Sequence, residues 1–133
     1  MTRILLDTHV WAWSLTAEHR LSSAAIAAMA SAEAVYVSAI SFYEIGQKAR
    51  LGRWPEIASQ VPALPDIARR QGLQIVDVSP DISLSAALLP WAHRDPFDRI
   101  ILSTARARDL TLISADSAFG ELDLLFGQSD AIW

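Results

Sequence analysis

Residues 3–7 read RILLD. Three large apolar side chains in a row, stopped by an acid, predict a short buried strand over 3–6 that ends at Asp7. The same figure recurs along the chain. VYV at 35–37 ends near Ser38, LQIVDV fills 73–78, and TLI at 111–113 runs out into Ser114 and Asp116. AIW at 131–133 offers a fifth strand. Helical segments lie between them. SSAAIAAMASA (22–32) starts on serine. SAISFYEIGQKARLG (38–52) stops at Gly52. One or two helices fall within 55–72, broken by Pro62 and Pro65 and closed by Gly72. SPDISLSAALLP (79–90) starts near Ser79 and is ended by Pro90, and a last helix spans 96–109. Short apolar strands alternating with helices predict an α/β fold, a three-layer α/β/α sandwich with a central parallel sheet, as a single domain over 1–133.

The composition narrows the function classes. The 133 residues are 52% apolar and 20% charged, which describes a globular chain. Apolar runs fall well short of the roughly 18 residues of a membrane span, and the N-terminal run is too short for a signal peptide. Cysteine is absent, which removes disulfides, thiolate metal sites and a cysteine nucleophile. A cytoplasmic location is the expectation. The net charge is −4, the cations being ten arginines and one lysine. With four acids committed to a metal the remainder is neutral, so RNA binding is allowed, although not a purely electrostatic grip.

In an open α/β sheet the active site lies beyond the carboxyl ends of the strands. Asp7 follows the first strand, Glu44 lies on the helix after the second, Asp116 follows the fourth, and Asp98 opens the helix leading into the fourth. Crowded carboxylates repel one another and persist where a hard cation neutralises them. All-oxygen ligands suit Mg²⁺, with Mn²⁺ as substitute. Each acid also has an ordinary reading. Asp7 can simply end a strand. Ser41 and Glu44 fit an S-x-x-E capping box, with Ser38 an equally good cap. Asp116 can cap the short segment SAFGEL. In HRDPFDR (93–99), Asp95 at the cap, Pro96 and an acid at the third position make a regular helix start. Their common location at one end of the sheet is what argues for a site.

Four pieces of the chain, LLDTHVWAW (5–13), VSAISFYEIGQKARLGRW (37–54), LPWAHRDPFDRIILSTARA (89–107) and LISAD (112–116), resemble the PIN-domain ribonucleases, and among them the VapC-type toxins of toxin–antitoxin pairs. The resemblance spans nearly the full length. It implies a PIN-like parallel sheet, an acidic metal pocket, and an Mg²⁺-dependent endoribonuclease that hydrolyses tRNA, rRNA or mRNA to leave a 5′-phosphate and a 3′-hydroxyl. The family acids fall on Asp7, Glu44, Asp98 and Asp116, with Asp7 and Asp98 as principal metal ligands. Asp98, directly before the apolar RIILSTA, is favoured over Asp95, which keeps the cap. Thr8 and Ser114 are supporting residues that could orient carboxylates or water. Arg99 could contact a phosphate or pair with an acid. The resemblance further implies a VapB-like antitoxin and a homodimer.

A mechanism of this kind uses no histidine. His9 could line the pocket, His19 belongs at the surface, and His93 is expected to bond a loop carbonyl. Trp11 and Trp13 read as core or interface, Trp54 and Trp91 as candidates for a partner groove, and Lys48 and Arg50 as an RNA path or a solvated face. Competing chemistries lack their residues. A phosphoryl-acceptor receiver needs a late lysine, and the single lysine is Lys48. A haloacid-dehalogenase-type phosphatase needs D-x-D, where this chain has Asp7-Thr8-His9. Neither phosphate-binding glycine motif occurs among the five glycines. The other reading is a non-catalytic PIN-like RNA- or protein-binding module, which would not require a complete acid set.

Overall fold

The computed structural model describes residues 2–121 and 131–133. Its strands are β1 (Arg3–Leu6), β2 (Ala34–Ser38), β3 (Gln74–Val76), β4 (Thr111–Ile113) and β5 (Ala131–Ile132). They form one parallel sheet in the order β3-β2-β1-β4-β5. The helices are α1 (Thr8–Thr16), α2 (Ser23–Ser31), α3 (Ala39–Arg50), α4 (Leu64–Arg70), α5 (Pro80–Leu88) and α6 (Pro96–Arg108), with 3-10 turns at Glu18–Arg20, Ala58–Ala63 and Ser117–Glu121.

Strand alternation divides the sheet between two cores. Ile4 and Leu6, with Val37 and Ile113, face Val10, Trp11, Ala25, Ile45, Leu64 and Ala68 from α1 to α4. Leu5 and Leu112 face the other way, onto Ile101, Leu102 and Ala105 of α6, with Trp91 and Phe119. Helix α5 packs on α6 and buries Ile82 and Ala86. This is the three-layer arrangement that the strand and helix alternation predicts.

The helix starts follow their caps. Ser22, Ser38 and Ser79 each accept a hydrogen bond from a first-turn backbone N–H. Gly52 and Gly72, with φ of 73° and 78°, close their segments in the left-handed region that glycine enters without strain. Helix α1 has no counterpart in the sequence reading. Its residues THVWAWSLT carry apolar side chains on almost every face, so no stripe marks it, and Val10, Trp11 and Ala12 are fully buried. The third strand is shorter than LQIVDV: only Gln74–Val76 pairs with β2. The segment SAFGEL becomes the 3-10 turn Ser117–Glu121, and its Leu122, with residues 123–130, lies outside the described residues.

The strand order fixes where a site can form. The chain moves outward from β1 through β2 to β3, then returns to the far side of β1 as β4. The reversal leaves a crevice beyond the carboxyl ends of β1 and β4, the usual ligand position in such sheets. Asp7 and Ser114 stand at those two ends.

Candidate active site

Asp7 is the N-cap of α1 and is 4% exposed. Its Oδ1 accepts from the Thr8 backbone N–H at 2.8 Å, and its Oδ2 accepts from the Ser114 hydroxyl, also at 2.8 Å. Two hydrogen bonds favour the carboxylate, but they do not win. Burial, followed by the nearby charges of Asp98 and Glu44, pushes the Asp7 carboxyl up to about 7. Asp98 is buried and is likewise raised, to about 6, by burial and then by Asp95 and Asp116, against the opposing bond from His93. Two carboxyls displaced this far toward neutrality by burial and then by neighbouring carboxylates mark a place built for added positive charge.

Asp98 occupies the third position of α6. Asp95 takes the cap, its Oδ1 accepting from the Phe97 backbone N–H at 2.9 Å, with Pro96 at the first position. Asp98 is thereby released from capping. Its Oδ2 lies 2.6 Å from His93 Nε2, which donates to it when the carboxylate is ionised.

Glu44 is resolved in the same way. Ser38 caps α3 through Ile40 N–H, while the Ser41 hydroxyl is bonded to the Thr8 hydroxyl at 2.8 Å. No Ser41–Glu44 capping box forms. Glu44, 2% exposed, pairs through Oε2 with Lys48 Nζ at 2.5 Å, one turn on. Its other oxygen, Oε1, is buried without a hydrogen-bond partner. A buried carboxylate oxygen with no donor is costly unless something else supplies positive charge.

Asp116 is exposed. Its Oδ1 accepts from Ala118 N–H at 2.9 Å and caps the 3-10 turn, while its own N–H donates to Ser114 Oγ at 3.1 Å. Ser114 therefore ties the fourth acid to the first. One potential ligand atom each from His93, Asp98 and Asp116 lies within 4.8 Å of the others. This compact group, the orphaned Glu44 oxygen and the charge of Asp98 acting on Asp7 fit a divalent cation held by carboxylates, with His93 at hand.

Several expectations need correction. Arg99 meets no acid. Its Nε donates to Ala86 O, Nη1 to Trp91 O and His93 O, and Nη2 to Ala87 O and Leu89 O, at 2.7–3.3 Å. All five N–H groups are committed to carbonyls at the end of α5 and in the loop that follows. The guanidinium fork matches that set of acceptors, so Arg99 is a clamp on the loop carrying His93. His93 bonds Asp98 rather than a loop carbonyl. The signal was its position two residues before the cap, where the loop turns back across the helix start. The Thr8 hydroxyl faces Ser41, and only its backbone N–H reaches Asp7. Trp91, 5% exposed, is a core residue and not the wall of a groove, whereas Trp54, 8% exposed, packs into the core and still lines an open cleft. Trp11 is core as well, with Nε1 donating to Gln71. His9 stacks on Trp54 with ring centroids 4.7 Å apart, and burial followed by Lys48 lowers its pKa.

A sheet of this order with acids gathered at its switch point is the architecture of a PIN domain. The PIN domain family model matches residues 4–125, and the chain belongs to that family. It is 33% identical over 118 residues to ribonuclease VapC22 of Mycobacterium tuberculosis, covering 87% of this chain and 88% of that one. Among solved structures, VapBC2 of Rickettsia felis bound to a promoter DNA fragment superposes with a TM-score of 0.63 at 17% identity, covering 90% of this chain and 92% of that one. A toxin–antitoxin complex from Klebsiella pneumoniae gives 0.60 at 17% identity, over 98% and 96% of the two chains.

Proposed function

We propose that this chain is a divalent-metal-dependent endoribonuclease and the toxin of a toxin–antitoxin pair. The observation that carries the reading is the meeting of Asp7, Glu44, Asp98 and Asp116 at one end of the sheet, in a domain related to a VapC ribonuclease. Asp7 and Asp98 are the principal metal ligands, Asp116 and Glu44 complete the set, and Mg²⁺ is the expected ion, with Mn²⁺ as substitute. A bound divalent ion supplies Lewis acidity, lowering the pKa of water and neutralising charge on a phosphodiester. The protein does the rest. Ser114 fixes the rotamer of Asp7 and the approach of Asp116. His93 aims one oxygen of Asp98 and leaves the other free. Lys48 balances Glu44, so the buried pocket is not charged beyond what a cation can offset.

Hydrolysis assembled this way needs no attack by the 2′-hydroxyl and so forms no 2′,3′-cyclic phosphate; the relation to PIN-domain ribonucleases supports products with a 5′-phosphate and a 3′-hydroxyl. The cytoplasm, a VapB-like antitoxin covering the site and a homodimeric assembly belong to the same reading. The similarity to toxin–antitoxin complexes supports the antitoxin, and no described helix is long and apolar enough to cross a membrane. The test is incubation of total tRNA and rRNA with the purified chain in Mg²⁺, in EDTA, and beside Asp98→Asn. Discrete bands present only for the wild type in Mg²⁺ are expected. Cleavage that survives both EDTA and the substitution, or products ending in a 2′,3′-cyclic phosphate, would reject the mechanism. An absence of cleavage on every RNA would favour a binding module.

A further inference from the structure

A cleft adjoins the acids at Lys48, which pairs with Glu44, and at His9. His9 follows Asp7 by two residues and lines this cleft. It stacks on Trp54 and meets Trp13 edge-on at 5.9 Å. The Arg20 guanidinium lies 5.2 Å from the centre of the Trp13 ring, and Lys48 Nζ lies 5.7 Å from the centre of a Trp54 ring. With Arg53 these residues line an open cleft of about 360 Å³. A second cleft of the same size continues over Trp13, Arg20 and Trp54 to His19. Pockets of this volume sit at the low end of the roughly 300–1,000 Å³ range for small ligands.

We propose that this cleft seats the nucleotide next to the scissile phosphate, its base against His9 and Trp13 and its phosphate on Arg20 and Arg53. The inference rests on the ribonuclease reading and extends it to the substrate strand. Core packing accounts for Trp54, which is nearly buried, but not for two exposed arginines beside these rings, Arg20 over Trp13 and Arg53 in the cleft lining. The chain as a whole carries −4, yet the described lining of the cleft beside the acids holds Arg20 and Arg53 against one acid, Glu56, besides the Lys48 that pairs with Glu44. Aromatic rings interleaved with cations are how single-stranded RNA is held without a base code, by stacking and by phosphate contacts.

The test uses the full chain on the Asp98→Asn background in Mg²⁺, with a fluorescein-labelled 12-mer RNA of mixed sequence followed by anisotropy. Arg20→Ala/Arg53→Ala should weaken binding about tenfold and flatten the dependence of log affinity on log salt by roughly 0.7, the value for one single-strand phosphate. Trp13→Ala should weaken the 12-mer at least fivefold, yet leave an abasic 12-mer of equal charge unchanged, while Trp13→Phe retains binding. Circular dichroism melts identify any variant that fails to fold, and the exposed arginine pair keeps the question answerable if Trp13→Ala does. Unchanged RNA binding by the arginine variant overturns the proposal. So does a Trp13→Ala loss of equal size on the abasic strand, or loss of a polyglutamate peptide while RNA is kept, which would make an acidic protein segment the occupant. The two readings fail separately. Wild-type cleavage with unaltered binding by the variants removes the cleft and leaves the nuclease. Binding losses without any wild-type cleavage remove the nuclease and leave an RNA-binding cleft.

Discussion

Ser114 and Asp7 stand 107 residues apart in sequence, and the Ser114 hydroxyl donates to Asp7 Oδ2 across 2.8 Å. The bond joins the carboxyl ends of β1 and β4 and is one of two that lower the Asp7 pKa against burial. Ser114→Ala should therefore raise it further. Loss of a buried hydrogen bond of this kind costs about 1 kcal/mol of stability. The more telling effect is on metal binding, which competes with the proton. Calorimetric titration with Mg²⁺ should show a several-fold weaker affinity for Ser114→Ala than for wild type at pH 7, and a smaller difference at pH 9. Equal affinities at both pH values would leave the hydroxyl with a packing role only.

The raised carboxyls also set the pH dependence of stability without metal. In the folded chain Asp7 titrates near 7 and Asp98 near 6, both above the ordinary carboxylate value. Between about pH 4 and 7 the folded state thus holds protons that the unfolded chain has released. Stability from this source is complete below the unfolded pKa and is lost as the pH rises through the folded one. In EDTA, the melting temperature of Asp7→Asn minus that of wild type should be small at pH 4.5 (about the ordinary carboxylate range), grow through pH 7 and level off above pH 8. The ceiling for Asp7 is on the order of 4 kcal/mol. Saturating Mg²⁺ should abolish the growth in that difference by stabilising wild type. A difference independent of pH would mean that Asp7 is an ordinary ionised cap.

Arg99 is expected to be intolerant of lysine. Five N–H groups on five carbonyls form a pattern only the planar fork can satisfy, and an ammonium leaves at least two carbonyls at the end of α5 and in the next loop unpaired. Arg99→Lys should lose roughly 3 kcal/mol in denaturant unfolding. The same change frees the loop that presents His93 to Asp98, so Mg²⁺ affinity should fall with stability. A variant as stable as wild type would mean that the carbonyls find other partners.

Much of this was legible in the sequence, and the misses have physical reasons. RILL, VYV and TLI declared their strands because each is a short, largely apolar run bounded by a small or acidic residue. The acids at strand ends could be placed because a parallel sheet directs all its carboxyl ends to one side. Helix α1 stayed silent because apolar side chains on almost every face erase the 3.6-residue period. The Ser38 or Ser41 choice at the start of α3 was undecidable locally, being settled by the Thr8 hydroxyl, which takes Ser41 from 33 residues away. The roles of Arg99 and His93 depend on a loop folding back over the start of α6, a tertiary event that no local pattern encodes.

Glu44 and Lys48 give a prediction that separates charge balance from catalysis. Lys48 Nζ holds Glu44 Oε2 at 2.5 Å, and the other Glu44 oxygen has no hydrogen-bond partner. Glu44 is almost fully buried, whereas the lysine is about a quarter exposed, so the loss of each partner is unequal. Lys48→Met strands a buried carboxylate and should cost about 2 kcal/mol in metal-free buffer. Glu44→Gln lets the ammonium turn to water and should cost less. The double variant should recover most of the Lys48→Met loss, because the stranded charge is gone. Added Mg²⁺ should rescue the melting temperature of Lys48→Met more than that of wild type, a cation offsetting the charge the lysine had balanced. Strict additivity of the two substitutions in the metal-free melts would show that the pair contributes no coupling and that Glu44 is balanced by something else in the pocket.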